Sequence, residues 1–286
     1  MSKRPSYSQL TTDNGPLTAL KPLRQAAANL LALTRFFPRM STTEYRWNQT
    51  QAAADYDTAA PVIHPQYLTV QEEVLAALPF AADQPFRLVD VGGGSGRLVE
   101  RVLEEFPQAT AMVMDQSEPF LGVAQQRLAR FGTRASFVKQ RLQDDWPAAV
   151  GPVDAAVSSS AIHHLEPTEK QQLFAKIFAT LTGGGVFING DEHRPASDAD
   201  YLALLEQWGQ HMEAAHASGA IPESFGAVID AWKKRNIAEF GRPRKSGDDC
   251  LETSETQVGY LRAAGFDPVE VTWSRDLWAV FVARKP

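Results

Sequence analysis

The stretch Phe86-Arg-Leu-Val-Asp-Val-Gly-Gly-Gly-Ser-Gly96 decides how the rest of the chain is read. Leu88, Val89 and Val91 make a short apolar strand that carries a carboxylate at Asp90. The strand breaks into Gly92, Gly93 and Gly94, with a fourth glycine at Gly96, where an amphipathic helix begins. Glycine suits such a corner because it adopts positive φ and lacks a Cβ, so backbone and ligand can approach closely. A helix N-terminus adds unpaired N–H groups and a positive dipole end.

Spacing narrows the ligand. A dinucleotide fingerprint requires G-x-G-x-x-G, and counting from Gly92 puts Arg97 where the third glycine belongs. The phosphate-cradling G-x-x-x-x-G-K-[ST] fails as well, because no Lys-Ser or Lys-Thr follows. What remains is Asp-Val-Gly-x-Gly-x-Gly.

Outward from this corner the chain alternates strands with helices. Val70, Val74, Leu75 and Leu78 form a helix before the first strand, and Leu98, Val99, Val102, Leu103 and Phe106 form the buried face of the next. Ala111 to Met114 reads as a strand ending in Asp115, and Ser117-Glu-Pro119 as a helix start. Phe137-Val138 and Ala155 to Ser159 are further strands. Thr168-Glu-Lys-Gln171 reads as a capping box for a helix ending at Gly183, with Val186 to Ile188 the fifth strand. Val269 to Trp273 and Leu277 to Ala283 close the chain as a hairpin. This rhythm predicts an α/β fold with a doubly wound, mostly parallel seven-stranded sheet, its ligands at the carboxyl ends of the strands.

Two additions break the rhythm. Leu20, Leu23, Ala27, Leu30 and Leu31 mark one helix, and Thr43 to Thr58 a second piece with Tyr45, Trp47 and Tyr56. Both precede the first strand, so residues 1–62 are read as an N-terminal helical cap and 63–286 as the sheet domain. A helical insertion at about 193–250 carries Tyr201, Leu204, Leu205, Trp208 and Met212 on one stripe and Phe225, Val228, Ile229 and Trp232 on another. Most of these side chains are expected in the core, with the insertion overhanging the site.

Composition sets the outer limits. The chain has 286 residues with 44% hydrophobic content, enough for a large core. A net charge of -6 shows no basic nucleic-acid footprint, so the expected partner is a small molecule, with neither nucleic acid nor membrane involved. Oligomeric state is left open. Cys250 is the single cysteine, which excludes an intrachain disulfide and fits a reducing, cytoplasmic setting. The apolar stretch Ala26 to Leu33 comes late and is interrupted by Asn29, which reads against a signal peptide.

The glycine motif, the carboxylate at Asp115 and the run Ser158-Ser-Ser-Ala-Ile-His-His-Leu165 together resemble the class I S-adenosylmethionine-dependent methyltransferases of the small-molecule type, from Val70 to the C-terminus. The resemblance implies a Rossmann-like methyltransferase fold and S-adenosyl-L-methionine as cofactor. It places Asp90, Gly92 and Gly94 at the cofactor, Asp115 on the ribose hydroxyls, Gln116 at the adenosine edge and Ser159 beside the methionine part. It gives Tyr56, in Ala-Asp-Tyr-Asp, the methionine carboxylate. Where the family has Gly-Asp, this chain has Gln140-Arg141; arginine only donates, so either Gln143 or Asp144 takes the adenine contact or the register shifts, and Leu142 and Gln143 are counted among the cofactor-binding residues. Trp47 and Tyr45 offer aromatic faces to a sulfonium.

Candidate catalytic residues are Tyr45, His163, Asp191 and His193, the last two with Glu192 at the end of the fifth strand. Imidazoles and carboxylates in a buried mouth can be tuned to accept a proton. Neighbours such as Asp191, Glu192 and His193 seldom converge on one ion, and no metal site is expected. The function read from the resemblance is methyl transfer to a small-molecule acceptor by in-line displacement, in secondary metabolism. The alternative keeps the fold and uses the cofactor as sole substrate: its α-amine attacks its own γ-carbon, giving azetidine-2-carboxylate and methylthioadenosine.

Overall fold

The computed structural model describes residues 50–286, which fall within one compact unit. The expected helix around Leu20 to Leu31, and Tyr45 and Trp47, lie outside the described residues. Two helices, α1 (Thr50–Ile63) and α2 (Tyr67–Ala76), lead into strand β1 (Arg87–Val91). There follow α3 (Arg97–Glu105), β2 (Thr110–Asp115), α4 (Glu118–Leu128), β3 (Ala135–Lys139), β4 (Val153–Ser159), α5 (Pro167–Thr180) and β5 (Leu181–Glu192). Helices α6 (Asp198–Ala217) and α7 (Phe225–Lys233) form the insertion, and α8 (Ser254–Ala263), β6 (Val269–Arg275) and β7 (Trp278–Arg284) complete the chain.

The seven strands make one sheet in the order β3-β2-β1-β4-β5-β7-β6. The first five pair in parallel, and β7 inserts antiparallel between β5 and β6. The sheet is therefore mixed, with the expected C-terminal hairpin. Layers on both faces account for the strand composition, since alternate residues of a strand face opposite sides. Leu88, Val186, Ile188 and Val280 pack on one side with α2, α3, α4 and the insertion. Val89, Val91, Phe187 and Phe281 pack on the other with α5 and α8.

Some boundaries differ from the sequence reading. Helix α5 starts earlier than the Thr168 box: Glu166 is the N-cap, Pro167 takes the first helical position, and the Glu169 carboxylate accepts the Glu166 amide at 3.0 Å. Strand β5 begins at Leu181, which pairs with Val153, so the chain leaves the helix before Gly183. Helix α1 runs past Thr58 and through Pro61 to Ile63. Gly190 on β5 lets α2 lie directly on the sheet: a Cβ there would sit 2.5 Å from Val70 Cγ1 and 2.7 Å from Val74 Cγ2.

Candidate active site

The corner after β1 has the conformation its glycines permit. Gly92, Gly94 and Gly96 have φ of +77°, +51° and +76°. The amides of Gly92 and Gly93 both donate to the Met114 carbonyl, at 2.8 and 3.0 Å. A Cβ on Gly92 would lie 2.6 Å from Ala161 Cβ, which brings the loop against the turn after β4. A Cβ on Gly94 would meet nothing within 4 Å, so space opens over that residue.

Two carboxylates flank the loop. Asp90 is buried, its Oδ1 has no hydrogen-bond partner, and burial together with Asp115 pushes its pKa up to about 8. Asp115, at the end of β2, accepts from the Gly94 amide at 3.0 Å and the Ser117 amide at 2.7 Å. Burial raises its pKa and these amides partly offset that. A carboxylate offers about four lone-pair sites, so Asp115 retains acceptor capacity beyond these amides. Leu142 lies in the turn after β3, 3.8 Å from a Cβ built on Gly92; Gln143 beside it and Gln116 after β2 are half-buried. Asp144 is exposed and accepts the Arg141 amide.

At the ends of β4 and β5 a buried polar cluster forms. Ser158 Oγ donates to the Val91 carbonyl at 2.7 Å, joining β4 to β1 just before Ser159. A short turn, Ile162–His164, presents His163, whose Nδ1 lies 2.7 Å from Asp191 Oδ1. Its Nε2 lies 3.6 Å from Glu192 Oε2. Desolvation alone would lower the His163 pKa, but Glu192 and Asp191 outweigh it and push it up to about 9. Desolvation would raise Asp191, and its contacts with His163 bring it below the usual carboxylate range. His64 contacts Tyr56 Oη through Nε2 at 3.0 Å; burial, aided by His163, pushes it down to about 3, so it is neutral.

These groups face an aromatic pocket. Its lining includes Tyr56, His163, Glu192, Trp208, Trp232 and Asp249. Trp208 meets Trp232 and Trp278 edge to face, each at 4.8 Å, and its Nε1 donates to the Ile63 carbonyl at 2.7 Å. Asp249 arrives from the segment before α8, pinned by amides of Gly247 and Cys250 that donate to the carbonyls of His164 and His163. Asn236, in the π-helical turn after α7, donates to Asp249 Oδ2 at 2.6 Å.

Of the residues expected from sequence, the structure brings His163 and Asp191 into direct contact and sets Tyr56 in the same pocket. His193 is placed differently: its ring lies between Ser254 Oγ at 3.0 Å and Ser274 Oγ at 3.3 Å, and it is not among the pocket's lining residues. His64, Asp249 and Asn236 carry no local motif and were not expected at the site. The ligand atoms of His163, His164 and Asp249 approach within 4.8 Å of one another. Protein contacts already engage them: His163 Nδ1 with Asp191, His164 Nδ1 3.3 Å from the Asp248 carbonyl, and Asp249 with Asn236. Among the described residues, no helix is long and apolar enough to cross a membrane.

An adenosine-bearing cation fits this corner. The unpartnered Asp90 oxygen, the open space over Gly94 and the spare acceptor capacity of Asp115 are what a ligand with hydroxyl donors and positive charge requires. Residues 88–185 match the family described as methyltransferase domain. A malonyl-[acyl-carrier protein] O-methyltransferase from Geobacter sulfurreducens is 30% identical over 158 residues, 54% of this chain and 56% of that protein. A 23S rRNA (guanine(748)-N(1))-methyltransferase from Streptomyces fradiae is 38% identical over 151 residues, covering 52% of this chain and 48% of its own. The chain thus spans about half the length of these curated relatives. Human N-acetylserotonin methyltransferase, solved with S-adenosylmethionine, superposes with a TM-score of 0.58 at 15% identity, over 94% of this chain and 67% of that one, which shows the shared fold. Glycine loop, strand order and family match agree: residues 88–185 carry a methyltransferase domain within a class I methyltransferase fold, which supports S-adenosyl-L-methionine as cofactor.

Proposed function

We propose that this chain methylates a small-molecule acceptor seated in the aromatic pocket between α1, the ends of β4 and β5, and the insertion. The observation that carries the reading is the buried His163–Asp191 pair, whose His163 lines that pocket two residues after Ala161, the residue packed against Gly92 of the glycine loop. Asp90, Gly92, Gly94, Asp115, Gln116 and Ser159 would hold the cofactor, with Leu142 and Gln143 toward the adenine. Bound there, it supplies an electrophilic methyl group on a sulfonium.

The protein's part is positioning, proton handling and exclusion of water. Asp191 fixes the His163 ring through Nδ1 and leaves Nε2 toward the pocket. Charged, that nitrogen pairs with an anionic acceptor oxygen; neutral, it takes the acceptor's proton. Trp208, Trp232 and Met212 supply an apolar wall suited to a small, flat or aliphatic acceptor with one ionisable heteroatom. Tyr45, Trp47 and Tyr56 are proposed to complete the cofactor side, and a cytoplasmic role in secondary metabolism fits a small acceptor.

Mass spectrometry of the protein with S-adenosylmethionine tests the reading. Cofactor that stays intact until a small-molecule extract is added, followed by S-adenosylhomocysteine and a product heavier by one CH₂ than its acceptor, supports it. Methylthioadenosine released without any acceptor, together with azetidine-2-carboxylate, would overturn it in favour of self-cyclisation. Methylation confined to added RNA would overturn the small-molecule acceptor.

A further inference from the structure

Arg97, the residue that breaks the dinucleotide spacing, does not face solvent alone. Its Nε donates to Asp57 Oδ1 at 2.9 Å, and one terminal nitrogen donates to Asp57 Oδ2 at 3.2 Å and to the Asp57 carbonyl at 2.8 Å. Arg127 of α4 grips the same carboxylate from its other side, at 3.0 Å to Oδ1 and 2.8 Å to Oδ2. That guanidinium also donates to Ser95, at 2.7 Å to its carbonyl and 2.9 Å to its Oγ. Ser95 is part of the glycine loop. Glu100, 3.3 Å from Arg127 Nε, balances the second positive charge.

The network is sheltered, with Asp57 and Arg127 side chains 13% and 15% exposed. Bidentate guanidinium–carboxylate pairs are directional as well as strong. Arg127 and the other donors hold the Asp57 carboxyl below its usual range despite its desolvation. Asp57 sits on α1, directly after Tyr56, and α1 ends at Ile63, which lines the pocket together with His64, the residue after the helix.

We propose that Asp57 is a positioning residue that couples the two halves of the site: it locks α1, the acceptor-side wall, onto the cofactor-side glycine loop, so that filling the loop stiffens the wall. The inference rests on the cofactor site named above. Asp57 itself touches neither reacting group. An isolated stabilising ion pair would lack such a consequence, since it would contribute equally with and without ligand.

Hydrogen exchange on the full chain with S-adenosylhomocysteine as probe separates these. In the wild type, ligand is expected to slow exchange in residues 92–96 and also in α1, by about tenfold or more, a coupling in the usual range of roughly 5–150-fold. In Asp57→Asn the loop still responds and the α1 response is lost; Asp57→Glu restores part of it. Arg127→Lys, which keeps the charge and removes the fork, gives the same loss and covers the case in which Asp57→Asn does not fold. Protection of α1 in Asp57→Asn equal to wild type, or loop protection without any α1 response in the wild type, overturns the coupling alone. Failure of the wild type to bind S-adenosylhomocysteine by calorimetry overturns the cofactor site and the coupling with it.

Discussion

Asp191 holds His163 twice: Oδ1 lies 2.7 Å from the ring Nδ1, and Oδ2 accepts the His163 backbone amide at 3.0 Å. One buried carboxylate thus fixes both the ring and the turn that presents it. Asp191→Asn keeps the size and the amide contact but removes the charge that sets the imidazole's state. We expect methyl transfer to fall by about 10²–10⁴-fold, the usual contribution of a positioned acid–base group. His163→Gln should lose as much, and the double variant little more, because the two act as a unit. Calorimetry should show S-adenosylhomocysteine binding unchanged in all three; a parallel loss of binding would place the pair in the cofactor site instead.

The same pair sets a pH dependence. Glu192 and Asp191 raise the folded His163 pKa to about 9, against about 6.5 in the unfolded chain. A raised pKa means that the protonated form is stabilised by folding. That contribution is complete below about pH 6.5 and is lost as pH rises through 9. Wild type should therefore melt at progressively lower temperature between pH 7 and 10, relative to His163→Gln. Activity should move the other way over the same window, because the ring accepts a proton only after losing its own. Scanning calorimetry and rates across this range check both limbs; an identical melting slope in the variant would show that His163 is not the titrating group.

Glycines at two positions predict opposite phenotypes. Gly94 has φ +51° and open space where a Cβ would go, whereas Gly190 is extended strand with two valine methyls in the way. Gly94→Ala should cost the fold only about 1–2 kcal/mol of left-handed strain while obstructing the surface proposed to meet the cofactor, so its main effect is expected to be weaker S-adenosylhomocysteine binding. Gly190→Ala should overpack the interface of α2 with β5, costing about 1–3 kcal/mol, with ligand affinity retained. Melting curves and calorimetry on both variants distinguish the roles; equal affinity in Gly94→Ala and wild type would remove the loop from the binding surface.

The fold was legible because its signals are local. Apolar runs at Leu88 to Val91 and Val186 to Ile188, helical periodicity and the Gly92–Gly96 turn each act within a few residues, and together they imply a doubly wound, mostly parallel sheet; the one found is mixed, with β7 antiparallel between β5 and β6. Helix starts were less legible: Glu166 with Glu169 and Thr168 with Gln171 offer competing caps, and the first, with Pro167 at the first helical position, is the one formed. Within the candidate site, placement was legible where one strand end supplies the residue, as for Asp115, His163 and Asp191. It was illegible where partners come from distant segments. Asp249 meets Asn236 and His164 only after the insertion folds back, and His64 meets Tyr56 across the end of α1. Asp57 lay in plain view beside Tyr56, yet nothing near it in sequence indicates the arginines 40 and 70 residues away.

Trp208 joins the pocket wall to α1 and gives the sharpest test of where the acceptor sits. Its Nε1 donates to the Ile63 carbonyl at 2.7 Å while its ring packs edge to face between Trp232 and Trp278. Trp208→Phe removes the donor, leaving that buried carbonyl unsatisfied at a cost of about 1–3 kcal/mol, and melting should drop by about 2–4 °C for each kcal/mol in a domain of this size. The enlarged pocket should raise the acceptor KM, with kcat less affected, because the wall binds acceptor and transition state alike. S-adenosylhomocysteine affinity should not change, since Trp208 lines the proposed acceptor pocket and not the glycine loop. Steady-state kinetics with the acceptor identified from extract, beside calorimetry, separate the two. An unchanged acceptor KM in a correctly folded Trp208→Phe would move the acceptor out of this pocket, and a lost cofactor affinity would reassign the pocket to the methionine end of the cofactor.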